Sequence, residues 1–590
     1  MTSASGKHVL VLNGEIYNHK EIREALESEG VAPAWRGHSD TESLLAAFDA
    51  WGIERSIEKA VGMFALAVWA RDDRTLYLAR DRLGEKPLYY GWRNGSLAFA
   101  SEVKALRALP GFAAQVDRNS LALFLRHNYI PAPYSIYQGV YKLRPACIAK
   151  VTRRASSGDG QELKTEPYWS LRKVAEQGGA DPVGLSDIEA TAELARTLKG
   201  AVRMQMMSDV PLGALLSGGV DSSTVVALMQ GQSSRPVKTF SIGFHESGFD
   251  EAGHARAVAR HIGTEHTELY VTSREALDVI PTLPEVYDEP FADSSQIPTI
   301  LVSRMARQHV TVALSGDGGD ELFGGYGRYF RADAIRRGTR WLPRLARNAV
   351  ARSIRTLSTT TWDRAFGALG PVLPKQSRLA RPGDRLHKLA DLLSSETSEG
   401  LYRGLVSHWT APNDVAIDAS EPETVLTDAA HSAATGCFQS QLMYLDTLSY
   451  LPDDILTKVD RAAMSVGLET RIPLLDHRVV EFAWRLPMDM KIRGNQGKTV
   501  LRQLLGTLVP DELTSRPKMG FGVPIGDWLR GPLREWAETL IDEQRLKREG
   551  FLRPEPVRAK WREHLSGARN WQYHLWDVLM FQAWLEHQRH

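Results

Sequence analysis

The sequence predicts a protein of mixed α/β and α+β class with more than one domain, on three observations. Its 590 residues are more than a single hydrophobic core usually accommodates. Residues 1–150 contain short apolar segments, among them GMFALAVWA and TLYLARD, which are typical of β-strands. From about residue 190, helical segments alternate with buried strands such as PLGALLS and VTVALSGD, which indicates a doubly wound parallel sheet. Beyond about residue 330 the pattern is mainly helical.

Individual segments support this division. KEIREALESEG and DTESLLAAFDAWG predict helices that each end at a glycine. RRASSGDGQE and EQGGADPVG predict a linker, so we expect domains at 1–152 and 190–590 joined by 153–189. The arginine-rich stretch 336–393 predicts a solvated helical surface. In WQYHLWDVLMFQAWL, helical spacing of the apolar residues predicts a core helix that includes Trp571, Leu575, Val578, Leu579 and Met580.

The composition argues against several classes of function. The 72 basic and 71 acidic residues give a net charge of +1, which gives no support to a nucleic-acid or membrane-surface role. Cys147 and Cys437 are the only cysteines, so neither a disulfide framework nor a cysteine-based metal site is expected. No apolar run approaches the length of a membrane span, and no signal-peptide pattern is present. We therefore expect a cytoplasmic protein with small-molecule substrates, for which a homodimer is compatible with the sequence.

A polar segment that starts at Asn13-Gly14-Glu15 interrupts the apolar run from His8 to Leu12. Asn-Gly is typical of tight turns because both residues tolerate positive φ. Local sequence leaves two interpretations open. The segment is either a hairpin turn or a strand end that presents an amide side chain and backbone N–H groups to a ligand.

The most specific stretch is LLSGGVDSS, Leu215 to Ser223, in which a buried strand leads through Ser-Gly-Gly into a helix. The glycines let the backbone approach a ligand, the helix N-terminus directs N–H groups at it, and Ser217 and Ser222 add hydroxyl donors. This pattern predicts a pyrophosphate-binding loop at the end of a strand, without the lysine of kinase-type loops. Asp221 would repel phosphates unless a cation bridges them, so Mg²⁺ is implied.

VALSGDGGDELFGGY, Val312 to Tyr326, indicates a second site of this kind at a strand end. Ser315-Gly316 follows a strand, and Asp317, Asp320 and Glu321 place three carboxylates within five residues. We expect Asp320 to share the metal ion with Asp221.

GNQGKT, Gly494 to Thr499, looks like a nucleotide-binding loop but departs from that pattern. Only two residues separate its glycines, where the loop needs four, and no buried strand precedes it. We therefore predict that Lys498 is a surface residue at the start of a helix.

Together these motifs resemble the glutamine-dependent asparagine synthetase family. MSDVPLGALLSGGVDSS, LSGDGGDELFGGY, YLPDDILTKVDRAAMSVGLETRIPLLDH and RPKMGFGVP occur in the family's order, and NGEIYNH, GHSDTE and RDRLGEKPLYY resemble its amidohydrolase half. The resemblance covers nearly the whole chain. It implies an N-terminal nucleophile-hydrolase domain, a β-sandwich between helices, that releases ammonia from glutamine. It also implies an ATP-pyrophosphatase-type domain that adenylates a carboxylate with ATP and Mg²⁺, after which ammonia displaces AMP to leave an amide.

In the synthetase half, the resemblance implies roles for single residues. Pyrophosphate would bind Ser217, Gly218, Gly219, Val220, Asp221 and Ser222, and the nucleotide would contact Leu216, Ile242, Ser315 and Gly316. Asp317 stands where the family usually has Glu and would handle the proton of incoming ammonia. Lys458 and Lys518 would stabilise charge on the phosphates. Glu469, Arg471 and Asp476 belong either to the site or only to a buried ion-pair network.

In the N-terminal half, Asn13 and Gly14 would form the oxyanion hole for the glutamine amide, and Glu15 and Asp40 would bind its α-amino group. The alternative for GHSDTE is a helix N-cap at Ser39 or Asp40.

The start of the chain departs from the family, whose members begin Met-Cys and use the cysteine as nucleophile. Only 12 residues precede Asn13 here, and none is cysteine. We expect that the nucleophile segment is missing, that this chain does not hydrolyse glutamine and that the remaining sheet exposes hydrophobic surface. Either an internal Met was taken as the start, or the enzyme uses free ammonia.

Aspartate is the expected acceptor, by analogy with the family, and asparagine, AMP and pyrophosphate are the expected products. Two alternatives stay open: another carboxylate, such as a sugar uronate in surface-polysaccharide assembly, or a non-catalytic paralogue. The intact Asp221, Asp320 and Lys518 argue against the second.

Overall fold

The computed structural model describes residues 1–93, 95–112, 114–152, 161–244, 252–339, 341–357, 359–369, 382–393, 397–514 and 522–589. The strands are β1 (His8–Ile16), β2 (Gly62–Ala70), β3 (Thr75–Arg80), β4 (Tyr89–Arg93), β5 (Ser96–Ala100), β6 (Val140–Lys142), β7 (Cys147–Thr152), β8 (Thr165–Pro167), β9 (Leu212–Leu215), β10 (Lys238–Phe244), β11 (Glu265–Val271), β12 (Val312–Leu314), β13 (Glu469–Arg471), β14 (Ile492–Arg493) and β15 (Gln496–Gly497).

The α-helices are α1 (His19–Ser28), α2 (Asp40–Trp51), α3 (Ile53–Lys59), α4 (Val103–Arg107), α5 (Arg118–His127), α6 (Leu171–Ala180), α7 (Asp187–Gln205), α8 (Val220–Gln230), α9 (Ala252–Ile262), α10 (Ser273–Val279), α11 (Leu283–Tyr287), α12 (Gln296–Arg307), α13 (Gly319–Phe323), α14 (Gly327–Thr339), α15 (Arg344–Thr356), α16 (Thr359–Leu369), α17 (Pro382–Leu393), α18 (Ser398–Val406), α19 (Phe438–Leu445), α20 (Thr457–Met464), α21 (His477–Arg485), α22 (Met488–Lys491), α23 (Thr499–Gly506), α24 (Asp511–Thr514), α25 (Ile525–Arg530), α26 (Arg534–Leu540), α27 (Glu543–Glu549), α28 (Pro554–Leu565) and α29 (Gln572–His587). A π-helix, Asp446–Leu456, joins α19 to α20.

The N-terminal part contains two antiparallel sheets, ordered β1-β2-β3-β7-β8 and β5-β4-β6. Apolar side chains of both sheets, such as Ala67 and Leu78 on one and Tyr90 on the other, share one buried cluster. The opposite face of the larger sheet is covered by α1 and α2, which contribute Leu26, Leu44 and other residues to a second cluster. This is the β-sandwich between helices that the resemblance implied.

The strand β1 differs from both interpretations of the Asn-Gly segment, which placed a strand end or a turn there. Asn13 pairs with Ala65 and Gly14 with Phe64 inside a strand that continues to Ile16. Gly14 has φ +144°, and a Cβ atom there would lie 2.1 Å from the carbonyl oxygen of Met63. The glycine is therefore required by close contact between β1 and β2 and not by a turn.

The larger part is built on a parallel sheet ordered β11-β10-β9-β12-β13. Alternate residues of its strands enter different buried clusters: Ala214 and Leu314 on one face, Phe240 and Ala313 on the other. Helices cover both faces, which confirms the doubly wound arrangement. Because β9 and β12 are neighbours, the segments that follow them lie side by side at the carboxyl edge of the sheet, where ligands bind in this architecture.

The segment 153–189, expected to be a linker, contains β8 and α6 in its described part. Helix α6 packs closely on α21, because a Cβ atom at Gly178 would lie 2.4 Å from the carbonyl oxygen of Trp484. The division into domains at these positions stays a prediction.

The remaining elements follow the expected pattern. Helices α14 to α17 occupy the described part of the arginine-rich stretch. Helix α29 is buried from Leu575 to Leu585 apart from the partly exposed Ala583, and Leu575, Val578, Leu579 and Met580 lie in the core as predicted. The prediction for Trp571 is wrong, because this residue precedes the helix as its N-cap and is only partly buried. In the described part of the chain, no helix is both long and apolar enough to cross a membrane.

Candidate active site

The segments after β9 and β12 form the two walls of a cleft of about 520 Å³. Ser217 to Ser222 lie on one wall and Ser315 to Glu321 on the other. Leu216 and Ile242 lie at the buried end, with Val302 of α12 beside them. The structure thus brings together the described residues that were predicted to bind pyrophosphate and nucleotide.

The first wall is a tight loop held by hydroxyl groups. The hydroxyls of Ser217 and Ser222 lie 3.0 Å apart, and the backbone N–H of Gly219 donates to the Ser217 hydroxyl over 3.3 Å. Gly218 has φ +72°, and a Cβ atom there would lie 2.9 Å from the backbone nitrogen of Ala255. Helix α8 begins at once at Val220, so its first N–H groups face the cleft, as an anion site at a helix N-terminus requires.

The second wall touches the first through glycine. A Cβ atom at Gly316 would lie 2.5 Å from the Ser222 nitrogen, and one at Gly319 would lie 2.5 Å from the Asp221 carboxyl carbon. The two strand-end loops are therefore in direct contact, and side chains at these positions would force them apart.

Asp221 and Asp320 are brought together, as predicted for a shared metal ion, but the residue between them is Lys498. The Lys498 ammonium lies 2.8 Å from an Asp320 oxygen and also forms an ion pair with Asp221. Its side chain is 8% exposed, so the prediction of a surface lysine is wrong. Although burial opposes it, the two carboxylates raise the pKa of Lys498. The GNQGKT segment is a small hairpin, β14–β15, and not a phosphate loop, as predicted.

The residues present fit Mg²⁺. Asp221 and Asp320 supply carboxylate oxygens, a ligand type that Mg²⁺ prefers. Both carboxylates lie within ion-pair distance of the same ammonium group, that of Lys498. Among the described residues, no group of three or more His, Cys, Asp or Glu side chains is arranged to hold a metal by itself. Two carboxylates completed by substrate phosphates are the usual environment of Mg²⁺.

Lys458 enters the cleft from α20 and forms a buried ion pair with Asp293, their nitrogen and oxygen 2.7 Å apart. Although burial opposes it, the Lys458 ammonium lowers the pKa of Asp293 to about 2. Asp454 of the π-helix lies beside the pair, and its pKa is raised well above the ordinary value by burial and by Asp293. The Asn128 amide of the N-terminal part donates to Asp454 over 3.1 Å. This chain of contacts connects the N-terminal part with the cleft.

The other acidic residues of the second wall are Asp317 and Glu321. Burial raises the pKa of Asp317, whose carboxylate accepts a hydrogen bond from the Ser315 hydroxyl. Burial, together with Asp320, raises the pKa of Glu321 to about 7. Lys518 lies outside the described residues.

The predicted glutamine-binding residues lie together at the end of β1. The Asn13 amide donates to the Ser101 hydroxyl over 3.1 Å, and the Asp40 carboxylate accepts the backbone N–H of Ile16 over 2.9 Å. Burial, followed by the charge of Asp40, raises the pKa of Glu15 to about 7. Ser39 is the N-cap of α2, so the capping alternative for GHSDTE holds for Ser39.

Glu469 and Arg471 form the buried ion pair that sequence left as one alternative, and Asp476 pairs elsewhere. The Arg471 guanidinium donates to Glu469 over 2.6 Å and lies 3.6 Å from Glu15 of the N-terminal part. Asp476 instead pairs with Arg478. Arg471 thus connects the predicted glutamine site with the strand beside β12.

Sequence reasoning missed Lys498, Asp293 and Ser101. Asp293 precedes a helix in DSSQ, a common capping pattern, and Ser101 follows an ordinary strand, so neither carried a distinctive signal. The sequence predicts a surface position for Lys498 because no buried strand precedes GNQGKT. In the structure this hairpin packs beside the second wall, and the Lys498 N–H donates to the Phe323 carbonyl.

Fold and site together define an α/β protein with a glycine-rich strand-to-helix loop at the carboxyl edge of its parallel sheet. Residues 193–586 match the asparagine synthase family, and residues 1–169 match the glutamine amidotransferase domain family. The chain therefore belongs to the asparagine synthase family. This membership supports ATP-dependent amide synthesis on small-molecule substrates by a ligase of glutamine-hydrolysing type.

Three relatives are similar to this chain over most of its length. A Mycobacterium tuberculosis H37Rv protein, provisionally named asparagine synthetase (glutamine-hydrolyzing), is 33% identical over 98% of this chain and 84% of its own. Asparagine synthetase (glutamine-hydrolyzing) 1 of Bacillus subtilis 168 is 30% identical over 98% of this chain and 85% of its own. Amidase chry2 of Gibberella zeae is 27% identical over 92% of this chain and 81% of its own.

Proposed function

We propose that this protein adenylates the side-chain carboxylate of aspartate with ATP and transfers ammonia to it, giving asparagine, AMP and pyrophosphate. The observation that supports this most is the direct contact of the two strand-end loops. Because of this contact, Asp221 and Asp320 form ion pairs with the same cation, the ammonium group of Lys498. A carboxylate is a poor electrophile, and adenylation, in which one of its oxygens displaces pyrophosphate from ATP, makes that oxygen part of a good leaving group, AMP.

Each wall of the cleft has its own part in this reaction. The N–H groups at the start of α8 and the Ser217 and Ser222 hydroxyls would hold the departing pyrophosphate. Leu216 and Ile242 would contact the adenosine part at the buried end. Mg²⁺ held by Asp221 and Asp320 would neutralise charge that develops on the phosphates.

The second half-reaction needs a proton acceptor, because ammonia gains positive charge as it attacks the acyl-adenylate. Asp317 would accept this proton: it lines the cleft beside Gly316, and a raised pKa makes a carboxylate a better base. Lys458 would stabilise negative charge on the phosphates, with Asp293 holding it in place. In the N-terminal part, Asn13 and Gly14 would polarise the glutamine amide, and Glu15 and Asp40 would bind its α-amino group.

The test is ATP–pyrophosphate exchange with a panel of carboxylic acids, followed by product analysis with ammonium chloride as nitrogen donor. We expect exchange with aspartate and formation of asparagine and AMP. Asp221→Ala should abolish exchange and leave the fold intact, because Lys498 keeps Asp320 as a partner. The matched control is Asp527→Ala, which should leave exchange unchanged because its side chain is 85% exposed and is not among the residues that line the cleft.

Two outcomes would contradict the proposal. Wild-type exchange activity in Asp221→Ala would contradict the assignment of Asp221 and Asp320 as the metal-binding pair. AMP release with another acid, such as a uronate, and none with aspartate would replace the acceptor while keeping the chemistry.

A further inference from the structure

The side chain of Lys498 lies between the two carboxylates that the proposed function assigns to the metal. We propose that Lys498 is a tethered cation that holds Asp221 and Asp320 together when the cleft is empty and transfers to the phosphates when Mg-ATP enters. Lys498 would thereby make divalent-cation binding depend on the nucleotide. This inference rests on the proposed function and adds a residue with a defined task to it.

The contacts of Lys498 are those of a cation in a ligand cage. Its nitrogen reaches Asp221 and Asp320, which come from different strand-end loops, and the lysine is almost fully buried. Lysine is rarely buried to this extent unless it is paired. The ammonium therefore occupies the place where a cation would touch both carboxylates.

The backbone around the lysine comes close to this cluster at glycine positions. A Cβ atom at Gly325 would lie 2.0 Å from an Asp320 oxygen and 2.2 Å from the Lys498 side chain. One at Gly497 would lie 2.1 Å from the carbonyl oxygen of Gly324. Gly325 and Gly497 let the β14–β15 hairpin and the second wall approach closely enough for the lysine to reach both acids.

Lys498 itself has φ +61°, which is unfavourable for a residue with a side chain. Its backbone N–H donates to the Phe323 carbonyl over 2.8 Å, which holds the backbone in place, so that a change of ionic partner would involve the four-carbon side chain alone. With its backbone fixed, Lys498 could exchange one anionic partner for another that lies at a similar distance from its Cα atom.

Charge balance determines when the exchange can occur. The two carboxylates and the ammonium carry a net charge of −1, so a divalent ion entering alone would make the buried cluster +1 and would face the ammonium directly. When ATP enters with the metal, its phosphates provide new acceptors for the ammonium. We therefore expect weak divalent binding without nucleotide and much stronger binding with it.

The test is a titration of the purified protein with Mn²⁺, a spectroscopic substitute for Mg²⁺, in which electron paramagnetic resonance measures the fraction of Mn²⁺ that is bound. Without nucleotide, the wild-type protein should bind Mn²⁺ weakly. Lys498→Met should bind it at least about tenfold more tightly, because the carboxylates lose their built-in counter-charge. The matched control is Lys547→Met, which removes an exposed lysine paired with Glu543 on α27 and should leave the Mn²⁺ affinity at the wild-type value.

The titration has outcomes that overturn the inference. Tight nucleotide-free binding by the wild-type protein, or equal affinities of wild type and Lys498→Met, would each refute it. Because Lys498→Met removes the ammonium group that lies between two close carboxylates, the melting temperature of this variant should rise on addition of Mn²⁺ by more than that of the wild type. An equal rise in both would also refute the inference, and if the variant does not fold, the wild-type titration with and without a non-hydrolysable ATP analogue still decides.

Failure of the proposed function would look different. In that case the wild-type protein would show no ATP–pyrophosphate exchange with any acid, whatever the Mn²⁺ titration gives. If the wild type catalyses exchange but Lys498→Met has the Mn²⁺ affinity of the wild type, the inference about Lys498 is refuted and the proposed function is not.

Discussion

Gly316 is the point at which the two walls of the cleft meet, and Gly316→Ala tests whether their contact sets the rate. The added methyl group would lie 2.5 Å from the Ser222 nitrogen and 2.8 Å from the Asp221 carbonyl carbon. Both atoms are backbone atoms at the start of α8, so no side chain can rotate away to make room.

The size of the effect follows from these distances. Ordinary contact begins near 3.4 Å, so the loops must separate by about 0.9 Å. A displacement of this size in a reacting geometry costs on the order of 100-fold in rate. Overpacking of this kind costs about 1–3 kcal/mol in the free energy of unfolding. We therefore expect a folded, moderately destabilised variant whose exchange rate falls about 100-fold.

The assay combines ATP–pyrophosphate exchange with urea unfolding. The matched control is Gly200→Ala in the middle of α7, where a Cβ atom would meet nothing within 4 Å. That substitution should leave exchange unchanged and stabilise the protein by up to about 1 kcal/mol. Wild-type exchange by Gly316→Ala would refute the reasoning, because the loops would then tolerate separation.

The remaining predictions concern the buried pair of Lys458 and Asp293. Lys458→Met should lower the free energy of unfolding by about 3–5 kcal/mol, because it leaves Asp293 buried without its cation, and it should also reduce exchange. The double variant Lys458→Met/Asp293→Asn should recover most of the stability in urea unfolding but not the exchange; recovery of both would show that the pair is purely structural. Since the pKa of Asp293 is lowered from 3.8 to about 2, the stabilisation from its ionised form, about 2 kcal/mol, should be complete above pH 4 and disappear as the pH falls toward 2. In urea titrations between pH 2 and 5, the free energy of unfolding of Asp293→Asn should depend less on pH than that of the wild type. An unchanged pH dependence would argue against the Lys458–Asp293 pair as its source.

The local sequence determined the pieces that depend on short-range chemistry. LLSGGVDSS specified a strand, a turn that only glycine permits and a helix start, and the same logic found Ser315-Gly316 after β12. Amphipathic spacing identified α2 and the buried α29. These predictions hold because hydrophobic periodicity and capping act within a few residues along the chain.

Long-range contacts decided the features that sequence reasoning got wrong or missed. The local sequence of Asn13-Gly14 predicts either a hairpin turn or a strand end, yet pairing with β2 continues the strand through both residues, because partner strands override local turn preference. Lys498 was placed at the surface, yet it lies 277 residues along the chain from Asp221 and is buried against it. No local pattern encodes which hairpin will dock on which loop.

The sequence by itself thus determined the fold class, the two strand-end loops and the residue types that suit phosphate and Mg²⁺. Only the tertiary structure decided that the loops touch through Gly316, that Lys458 is paired with Asp293, and that a lysine stands between the two metal-binding candidates. The physical reason is that charge pairing and steric clearance depend on distances across the fold, whereas strand and helix signals depend on neighbours in the chain.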